Sequence, residues 1–214
     1  RPQLLFLPLA LFLAYCCHNA QAATPNFNVK LWASPIPVLL DSRFAEADKE
    51  VLRQVFRNIS ENTCIDFDEN LPGPYMEFRF GEGGACQSSV GDWRTSKKNH
   101  VINIPFANCG YMHEIFHALG FEHTQQRPDR DDYIIVHKDN IYPDAYEDNY
   151  GKLSMTPATT FYGIPYEYSS RMHYKNNQGY SIDSKKPSME TKDPGYKENL
   201  EAGFTIMPFN DWKM

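Results

Sequence analysis

The chain has 214 residues, which suits one domain or at most two small ones. Hydrophobic residues make up 42% and charged residues 22%, and this balance excludes disorder as the default interpretation. The formal net charge of −6 argues against a nucleic-acid partner, which would favour a basic face.

The N-terminus has the form of a secretory signal peptide. An apolar run from Leu4 to Tyr15 follows one basic residue and precedes the small-residue motif Ala20-Gln21-Ala22. The run is too short for a comfortable membrane span, and the Pro-containing stretch after it argues against the alternative, a buried element of the domain. We therefore predict a signal peptide over residues 1–22, a secreted domain over residues 23–214, and no membrane association after signal removal.

The cysteines of a secreted chain would lie in an oxidising compartment, but their number does not fix a pairing. Removal of residues 1–22 leaves Cys64, Cys86 and Cys109, which is an odd number. Simple arithmetic predicts one disulfide and one leftover thiol.

Hydrophobic periodicity predicts an α+β fold. A helix is predicted over Ala45–Asn62, because Val51, Leu52, Val55, Phe56 and Ile59 fall on one face. A second helix is predicted over Tyr111–Gly120, and the chain after Phe121 is loop-rich. Apolar runs and apolar–polar alternation predict four strands. The strand candidates are Val38–Leu40, Cys64–Phe67, Met76–Phe80 and Val101–Ile104.

The segment from His113 to His123 carries the residue types of a metal site. His113 and His117 are four residues apart, which places both imidazoles on one helix face, where they can share one ion. Glu114 lies beside them, where a carboxylate can take a proton from a water that the ion activates. Gly120 permits the backbone to leave the helix, so that His123 can return as a third ligand. Three neutral histidines leave a fourth position open, as a catalytic zinc ion requires.

Chance is the alternative explanation for H-E-x-x-H alone. Here Gly120 and His123 complete H-E-x-x-H-x-x-G-x-x-H, which is far more specific. We therefore predict one zinc ion per chain. Of the other histidines, His18 falls in the signal peptide, and His100 and His137 are predicted to lie at the surface.

At this point the chain resembles the astacin family of metzincin endopeptidases. Arg127–Tyr133 continues as the astacin signature does, and Ser170–Tyr174 resembles the family's S-x-M-H-Y Met-turn. The likeness spans roughly Leu31 to Asp193. It implies a metzincin fold, with a twisted mixed sheet and helices in the N-terminal half, an irregular C-terminal half, and a zinc cleft between them.

The resemblance also implies roles at the metal. His113, His117 and His123 would bind zinc. Glu114 would act as general base and then as proton donor to the leaving amine. Tyr174 would be a fifth ligand at rest that swings away to stabilise the oxyanion.

Three further residues receive structural roles from the same resemblance. Met172 would form a hydrophobic floor under the metal, although ordinary core packing is the alternative for Met172 and for Tyr174 taken alone. Cys86 and Cys109 would form a disulfide beside an edge strand that receives the substrate backbone as an added strand.

Two positions near the motif depart from the family's pattern. Thr124 follows His123 where the family usually has Glu, so we expect the charge that anchors the mature N-terminus to be missing. Cys109 lies only four residues before His113, so we expect the zinc helix to begin late.

Departures also occur further along the chain. Arg171 stands at a Met-turn position that is usually Val or Ile, and its charge requires water or a carboxylate. Phe204–Met214 lacks the expected helix pattern and the family's last cysteine, which predicts a divergent or truncated end and leaves the pairing of Cys64 open. Between Ala23 and Leu31 there is no F-x-G-D propeptide motif.

The sequence thus predicts a secreted zinc-dependent endopeptidase that acts on protein or peptide substrates. The departures at Cys109, Thr124 and Arg171 motivate an alternative, a secreted zinc-binding pseudoprotease or interaction module with little turnover. A third hypothesis is a defective gene product that folds poorly. The intact histidine motif with Glu114 and Tyr174 favours the enzyme.

Overall fold

The computed structural model describes residues 24–25, 29–107, 109–154, 164–177, 180–202 and 207–212. The predicted signal peptide over residues 1–22 lies outside the described residues. The first element is a two-residue strand, β1 (Thr24–Pro25), which pairs antiparallel with β7 (Phe121–Glu122), directly after the histidine helix.

A five-stranded mixed sheet forms the frame of the N-terminal half. The order across the sheet is β3-β2-β4-β6-β5, in which β5 is antiparallel to β6 and the other pairs are parallel. This arrangement confirms the predicted mixed sheet. The strands are β2 (Ile36–Leu40), β3 (Phe67–Asp68), β4 (Met76–Phe80), β5 (Gln87–Ser88) and β6 (His100–Ile104).

Three of the four strand predictions are confirmed, one with its bounds unchanged and two with an earlier start. In β4, Met76 and Phe78 are fully buried, while Glu77 accepts a hydrogen bond from Arg79 on the other face, as alternation requires. The prediction over Cys64–Phe67 is wrong for most of its length, since the N–H of Ile65 donates to the side chain of Thr63 instead of to a strand.

Two helices cover the sheet and enclose the main core. The predicted first helix is confirmed as α1 (Glu46–Asn62), although Val51 is 40% exposed. The second is α2 (Tyr111–Leu119). Burial of the apolar helix faces against the strands supplies the main stabilising free energy of this half. The fully buried members of this core include Ile36, Leu52, Ile59, Met76, Phe78, Ile102, Ile104 and Ile115.

A glycine lies at each end of α2. Gly110 precedes the helix with φ +54°, and Gly120 ends it with φ +112°, a region that other residues rarely adopt. The N–H of Gly120 donates to the carbonyl of His117, which closes the last turn. The helix begins at Tyr111, two residues before His113, as the sequence predicted.

The C-terminal half is more ordered than the sequence predicted. Strand β8 (Ile134–Val136) pairs with β9 (Met189–Thr191), and a helix α3 (Pro143–Tyr150) begins with proline in its first turn. Sequence reasoning missed α3 because few apolar residues mark its buried face. This half has its own core, formed by Ile134, Ile141, Tyr150, Tyr166, Tyr168, Met189 and Leu200.

The sequence of Phe204–Met214 lacks the expected helix pattern, but a short helix forms in part of this segment. After α4 (Lys197–Ala202), a four-residue helix α5 (Phe209–Trp212) packs on the main core. Trp212 meets Phe116 of α2 edge-on with ring centroids 6.5 Å apart. Tertiary packing stabilises a helix that is too short to form from local propensity.

His100 is buried, so its predicted surface location is wrong. Its ring lies between two partners, because the N–H of Trp93 donates to Nδ1 at 3.3 Å and Nε2 lies 3.0 Å from Oγ of Ser88. Burial lowers the pKa of His100 to about 4, with Arg94 adding to this effect and Asp92 opposing it. The ring is therefore neutral in the folded protein at pH 7.

We predict that His100→Gln removes part of the pH dependence of stability. Because the folded-state pKa lies below the unfolded value of 6.5, wild-type stability falls as the pH drops from about 6.5 to about 4. The contribution of His100 amounts to about 1.4 kcal/mol per pH unit in that window. Urea unfolding at several pH values measures it, with the partly exposed His137→Gln as control. An unchanged pH profile for His100→Gln would contradict the prediction.

Candidate metal centre

Three histidine side chains from α2 and the turn after it converge on one point. His113 and His117 come from successive turns of the helix, and His123 follows the glycine that ends it. Their Nε2 atoms lie 3.1 Å (His113 to His117), 3.2 Å (His117 to His123) and 3.3 Å (His113 to His123) apart. The predicted triad is thus brought together, and it is the group of potential metal ligands found among the described residues.

The outward-facing nitrogen of each ring is held by an oxygen acceptor. Nδ1 of His113 lies 2.8 Å from the carbonyl of Arg171, and Nδ1 of His117 lies 2.7 Å from the carbonyl of Phe121. Nδ1 of His123 lies 3.1 Å from the side-chain oxygen of Gln126. Because a carbonyl oxygen only accepts, each Nδ1 carries the proton and each Nε2 presents a lone pair.

These lone pairs fit a zinc ion. Burial lowers the pKa of each of the three histidines, and the neighbouring rings lower those of His117 and His123 further, so the neutral forms are favoured. Three acceptors this close cannot hydrogen-bond to one another. Tetrahedral zinc with bonds of 2.0–2.1 Å to nitrogen requires ligand atoms about 3.3 Å apart, close to the separations in this triad.

Glu114 lines the cavities beside the triad. Its carboxyl is buried, and burial raises its pKa to about 7, while a hydrogen bond from the Ser88 backbone opposes the rise. A cation held by the histidines would lower this pKa again.

Two cavities, of about 720 Å³ and about 540 Å³, meet at Glu114 and His113. Both are also lined by Tyr174 and Tyr180, so they form adjoining parts of one cleft between the two halves of the chain. Gln87 and Ser88 of the edge strand β5 line the smaller cavity.

Met172 and Tyr174 lie next to the triad in different ways. Met172 is fully buried in the main core, and its carbonyl accepts a hydrogen bond from the N–H of Thr124. The ring of Tyr174 lies 4.4 Å, centroid to centroid, from the ring of His123. Its hydroxyl donates to Oδ1 of Asn149 at 2.9 Å, so the predicted ligand role of Tyr174 stays a prediction.

The disulfide that the resemblance implies is present. Cys86 and Cys109 are bonded, with their Cα atoms 5.8 Å apart. The bond ties the segment before β5 to the start of α2. Cys64 is exposed and lies outside this disulfide.

The departures at Thr124 and Arg171 have definite surroundings. Thr124 is fully buried, and its Oγ1 has no hydrogen-bond partner among the described residues. The Arg171 side chain lines the larger cavity, and its backbone N–H donates to Oδ2 of Asp211 at 2.6 Å. Burial raises the pKa of Asp211 to about 7, and attraction to Arg171 opposes that rise. Nε of Arg171 and Oδ1 of Asp211 are both buried and have no hydrogen-bond partner among the described residues, and no ion pair joins the two side chains.

Sequence reasoning missed several residues that support the site. Gln125 and Gln126 are buried directly after His123, and their side chains donate to backbone carbonyls of Asn149 and Asp148 in α3. Two adjacent glutamines shortly after the motif are the one feature of the sequence that could have indicated them. Asp211 and Asn149 gave no such signal, because their contacts join segments far apart in sequence.

The fold and the triad define a metal site of the zinc-peptidase type. Residues 25–209 match the family model for Astacin, which is described as a peptidase family. The chain therefore belongs to the astacin family, and the resemblance that the motifs indicated is confirmed.

Named relatives agree with this assignment. Zinc metalloproteinase nas-36 of Brugia malayi is 38% identical over 188 residues, which cover 86% of this chain and 31% of the relative. Zinc metalloproteinase nas-30 of Caenorhabditis elegans is 37% identical over 180 residues, or 81% of this chain and 23% of the relative. Meprin A subunit beta of Mus musculus is 35% identical over 149 residues, which cover 68% of this chain and 20% of the relative. The chain thus spans less than a third of the length of these relatives.

Solved structures share the fold over nearly the whole chain. High choriolytic enzyme 1, a hatching-enzyme zinc protease of Oryzias latipes, superimposes with a TM-score of 0.71 at 26% identity, covering 91% of this chain and 95% of that one. Myroilysin superimposes with a TM-score of 0.62 at 19% identity, covering 89% of this chain and 95% of that one. This likeness indicates the fold alone.

Within the described ranges, no helix has both the length and the apolar character needed to cross a membrane.

We predict that Gln126→Ala weakens zinc binding about tenfold or more, because His123 loses the acceptor that fixes its proton on Nδ1. Competition with a chromophoric chelator measures the zinc affinity. Gln54→Ala, at an exposed position of α1, is the matched control. Equal zinc affinities for the two variants would contradict an orienting role for Gln126.

Proposed function

We propose that this protein is a secreted zinc-dependent endopeptidase that holds one zinc ion per chain on His113, His117 and His123. The observation that carries the proposal is the set of three Nε2 lone pairs, within 3.3 Å of one another, at the wall of a cleft that Glu114 also lines. The named relatives are zinc metalloproteinases, which supports the same class.

Zinc in such a site supplies Lewis-acid polarisation of a carbonyl group and of a water molecule. Glu114 accepts a proton from that water as general base and then delivers it to the amine that leaves the broken peptide bond. Burial raises its pKa and a bound cation would lower it again, and these opposing effects suit a carboxyl that must both accept and release a proton. The triad holds no protons to donate into the cleft, since its Nδ1 hydrogens are engaged elsewhere.

Cleavage within a chain, as opposed to cleavage at an end, suits a cleft that extends to both sides of Glu114. The two adjoining cavities provide that extent. β5 is an edge strand of the sheet beside the cleft, so an extended substrate would add next to it as a further strand. The substrates would therefore be proteins or peptides bound in extended form.

Two further residues complete the proposed machinery. Tyr174 would donate its hydroxyl hydrogen to the oxyanion that forms on the scissile carbonyl, since burial raises its pKa and keeps the phenol protonated. Met172 would support the ligands from below through the main core.

Secretion is the second part of the proposal. The Cys86–Cys109 disulfide is typical of proteins that fold in an oxidising compartment. The apolar N-terminal run of residues 1–22 would direct the chain there before its removal.

The alternative is a secreted zinc-binding protein with little turnover. The observation that favours it is the chemistry around Thr124, where the buried Oγ1 has no partner among the described residues, at the position where the family usually has Glu. The replacement of Glu by Thr at this position would lower the rate of hydrolysis and leave the histidine triad intact.

We predict that Glu114→Gln retains zinc and lowers peptide hydrolysis by at least about a hundredfold, because the amide cannot accept the proton from water. Zinc content and hydrolysis of a casein-type substrate are measured on the same preparation. Glu147→Gln, a change at an exposed position of α3, is the control and should retain the parent rate. Hydrolysis by Glu114→Gln at the parent rate would contradict the mechanism.

A chelator distinguishes the two proposed functions. For the peptidase, we expect a chelator to abolish hydrolysis by the wild-type protein and stoichiometric zinc to restore it. A folded protein that binds one zinc ion yet lacks hydrolysis would instead support the non-catalytic alternative.

A further inference from the structure

The helix α1 carries the one N-x-S/T triplet of the chain, Asn58-Ile59-Ser60. In a chain that enters the secretory pathway, this triplet is the acceptor sequence for an N-linked oligosaccharide. Such triplets also arise by chance, so the surroundings of Asn58 decide whether a bulky, hydrophilic group fits the folded protein. A fit requires an exposed side chain, an amide nitrogen that is not needed elsewhere, and room on the surface.

Adjacent residues of the triplet lie on different sides of α1. Ile59 is fully buried in the main core, whereas Asn58 is exposed. The burial of Ile59 fixes the rotation of the helix against the sheet, and one residue step turns the side chain of Asn58 away from that core. Asn58 lines neither of the two cavities of the cleft, so a group attached to it does not occupy the site beside the histidines.

The amide of Asn58 has its oxygen engaged and its nitrogen free. Nδ2 of Asn62 donates to the backbone carbonyl of Asn58 at 2.8 Å and to Oδ1 of the same residue at 3.2 Å. The backbone carbonyl can only accept, which identifies the Asn62 atom as a nitrogen and therefore the Asn58 atom that faces it as the oxygen. Nδ2 of Asn58 donates to no acceptor within the described part of the chain. The folded helix thus loses no hydrogen bond when this nitrogen carries a sugar.

An exposed apolar residue lies on the same side of the helix. Val51 is 40% exposed, although it belongs to the predicted apolar face. It precedes Asn58 by two helical turns, or roughly 10 Å along the axis. Helix side chains lean toward the N-terminus, so an oligosaccharide on Asn58 would extend over the exposed Gln54 toward Val51.

We propose that Asn58 is an N-glycosylation site whose oligosaccharide covers the exposed side of α1. Nδ2 forms a bond to the anomeric carbon of an oligosaccharide that is carried on a lipid pyrophosphate. The carbon–oxygen bond to the pyrophosphate breaks with its electron pair, the lipid pyrophosphate leaves, and Nδ2 gives up one proton. This inference rests on the secretion part of the proposed function, and it requires neither the zinc site nor hydrolysis.

Ser60 indicates that the oligosaccharide is added before α1 forms. In the folded chain the hydroxyl of Ser60 donates to the carbonyl of Ile65 at 2.9 Å. A transferase that recognises this hydroxyl together with Asn58 needs it free, and it needs the chain around the buried Ile59 extended. Both conditions hold while the chain enters the secretory pathway unfolded.

Expression of the full chain in a eukaryotic secretory cell line tests the site. One arm uses the chain with its own N-terminal run, and a second arm places the full chain behind a standard secretory leader. The amidase that releases N-linked oligosaccharides converts the carrier Asn to Asp, which peptide mass mapping locates. We expect conversion at Asn58 and a fall in apparent mass for the wild type, and neither for Asn58→Gln.

Two matched variants should keep the oligosaccharide. Ser60→Thr retains the triplet and a hydroxyl at this position. Asn70→Gln changes an exposed asparagine that belongs to no such triplet. The zinc content of Asn58→Gln should equal that of the wild type, because Asn58 lies outside the cleft.

An unmodified Asn58 in wild-type protein secreted in the second arm would overturn the inference. A fall in apparent mass that persists in Asn58→Gln would overturn it as well. Failure of secretion in the first arm alone would contradict the proposed signal peptide, and the second arm would still decide on Asn58. Absence of zinc or of hydrolysis would contradict the peptidase proposal and leave the mass mapping interpretable.

Discussion

The candidate metal centre depends on three hydrogen bonds that engage the Nδ1 atoms of its histidines. Each bond directs the proton to the outer nitrogen and leaves a lone pair on the inner one. Without these acceptors the rings could rotate or exchange tautomers, and no interaction would hold the three neutral imidazoles with their Nε2 atoms facing one point. The separations of 3.1–3.3 Å between the Nε2 atoms are therefore a property of the acceptors as much as of the histidines.

The acceptors differ in how much of the fold they require. The carbonyl of Phe121 and the side chain of Gln126 lie within four residues of the histidines they hold, so the local turn after Gly120 supplies both. The carbonyl of Arg171 is 58 residues away from His113 and requires the Met-turn to be in place. Asp211 of α5 holds the N–H of the same residue. The orientation of His113 thus depends on the C-terminal tail.

The separation of local from long-range contacts explains what the sequence could predict. The triad, α1, α2 and the Cys86–Cys109 bond were predictable, because a spacing, a period or a resemblance marks each of them. The helices α3 and α5 were not predictable, since α3 has few apolar residues and α5 has only four residues stabilised by packing of Trp212. The burial of His100 was missed because a single histidine on an alternating strand gives no sign of its partners.

The same residues explain why departures from the family's pattern can spare metal binding. Arg171 makes its hydrogen bonds to His113 and Asp211 through its backbone carbonyl and N–H, so Val or Ile could make both bonds equally well. Its charge adds to burial in lowering the pKa of His113. Thr124 likewise binds the Met-turn through its N–H, whereas its side chain has no hydrogen-bond partner among the described residues. Both side chains are thus separate from the ligand geometry. Their effects should fall on the cleft that the Arg171 side chain lines and on the packing around Oγ1 of Thr124, and therefore on turnover before zinc affinity.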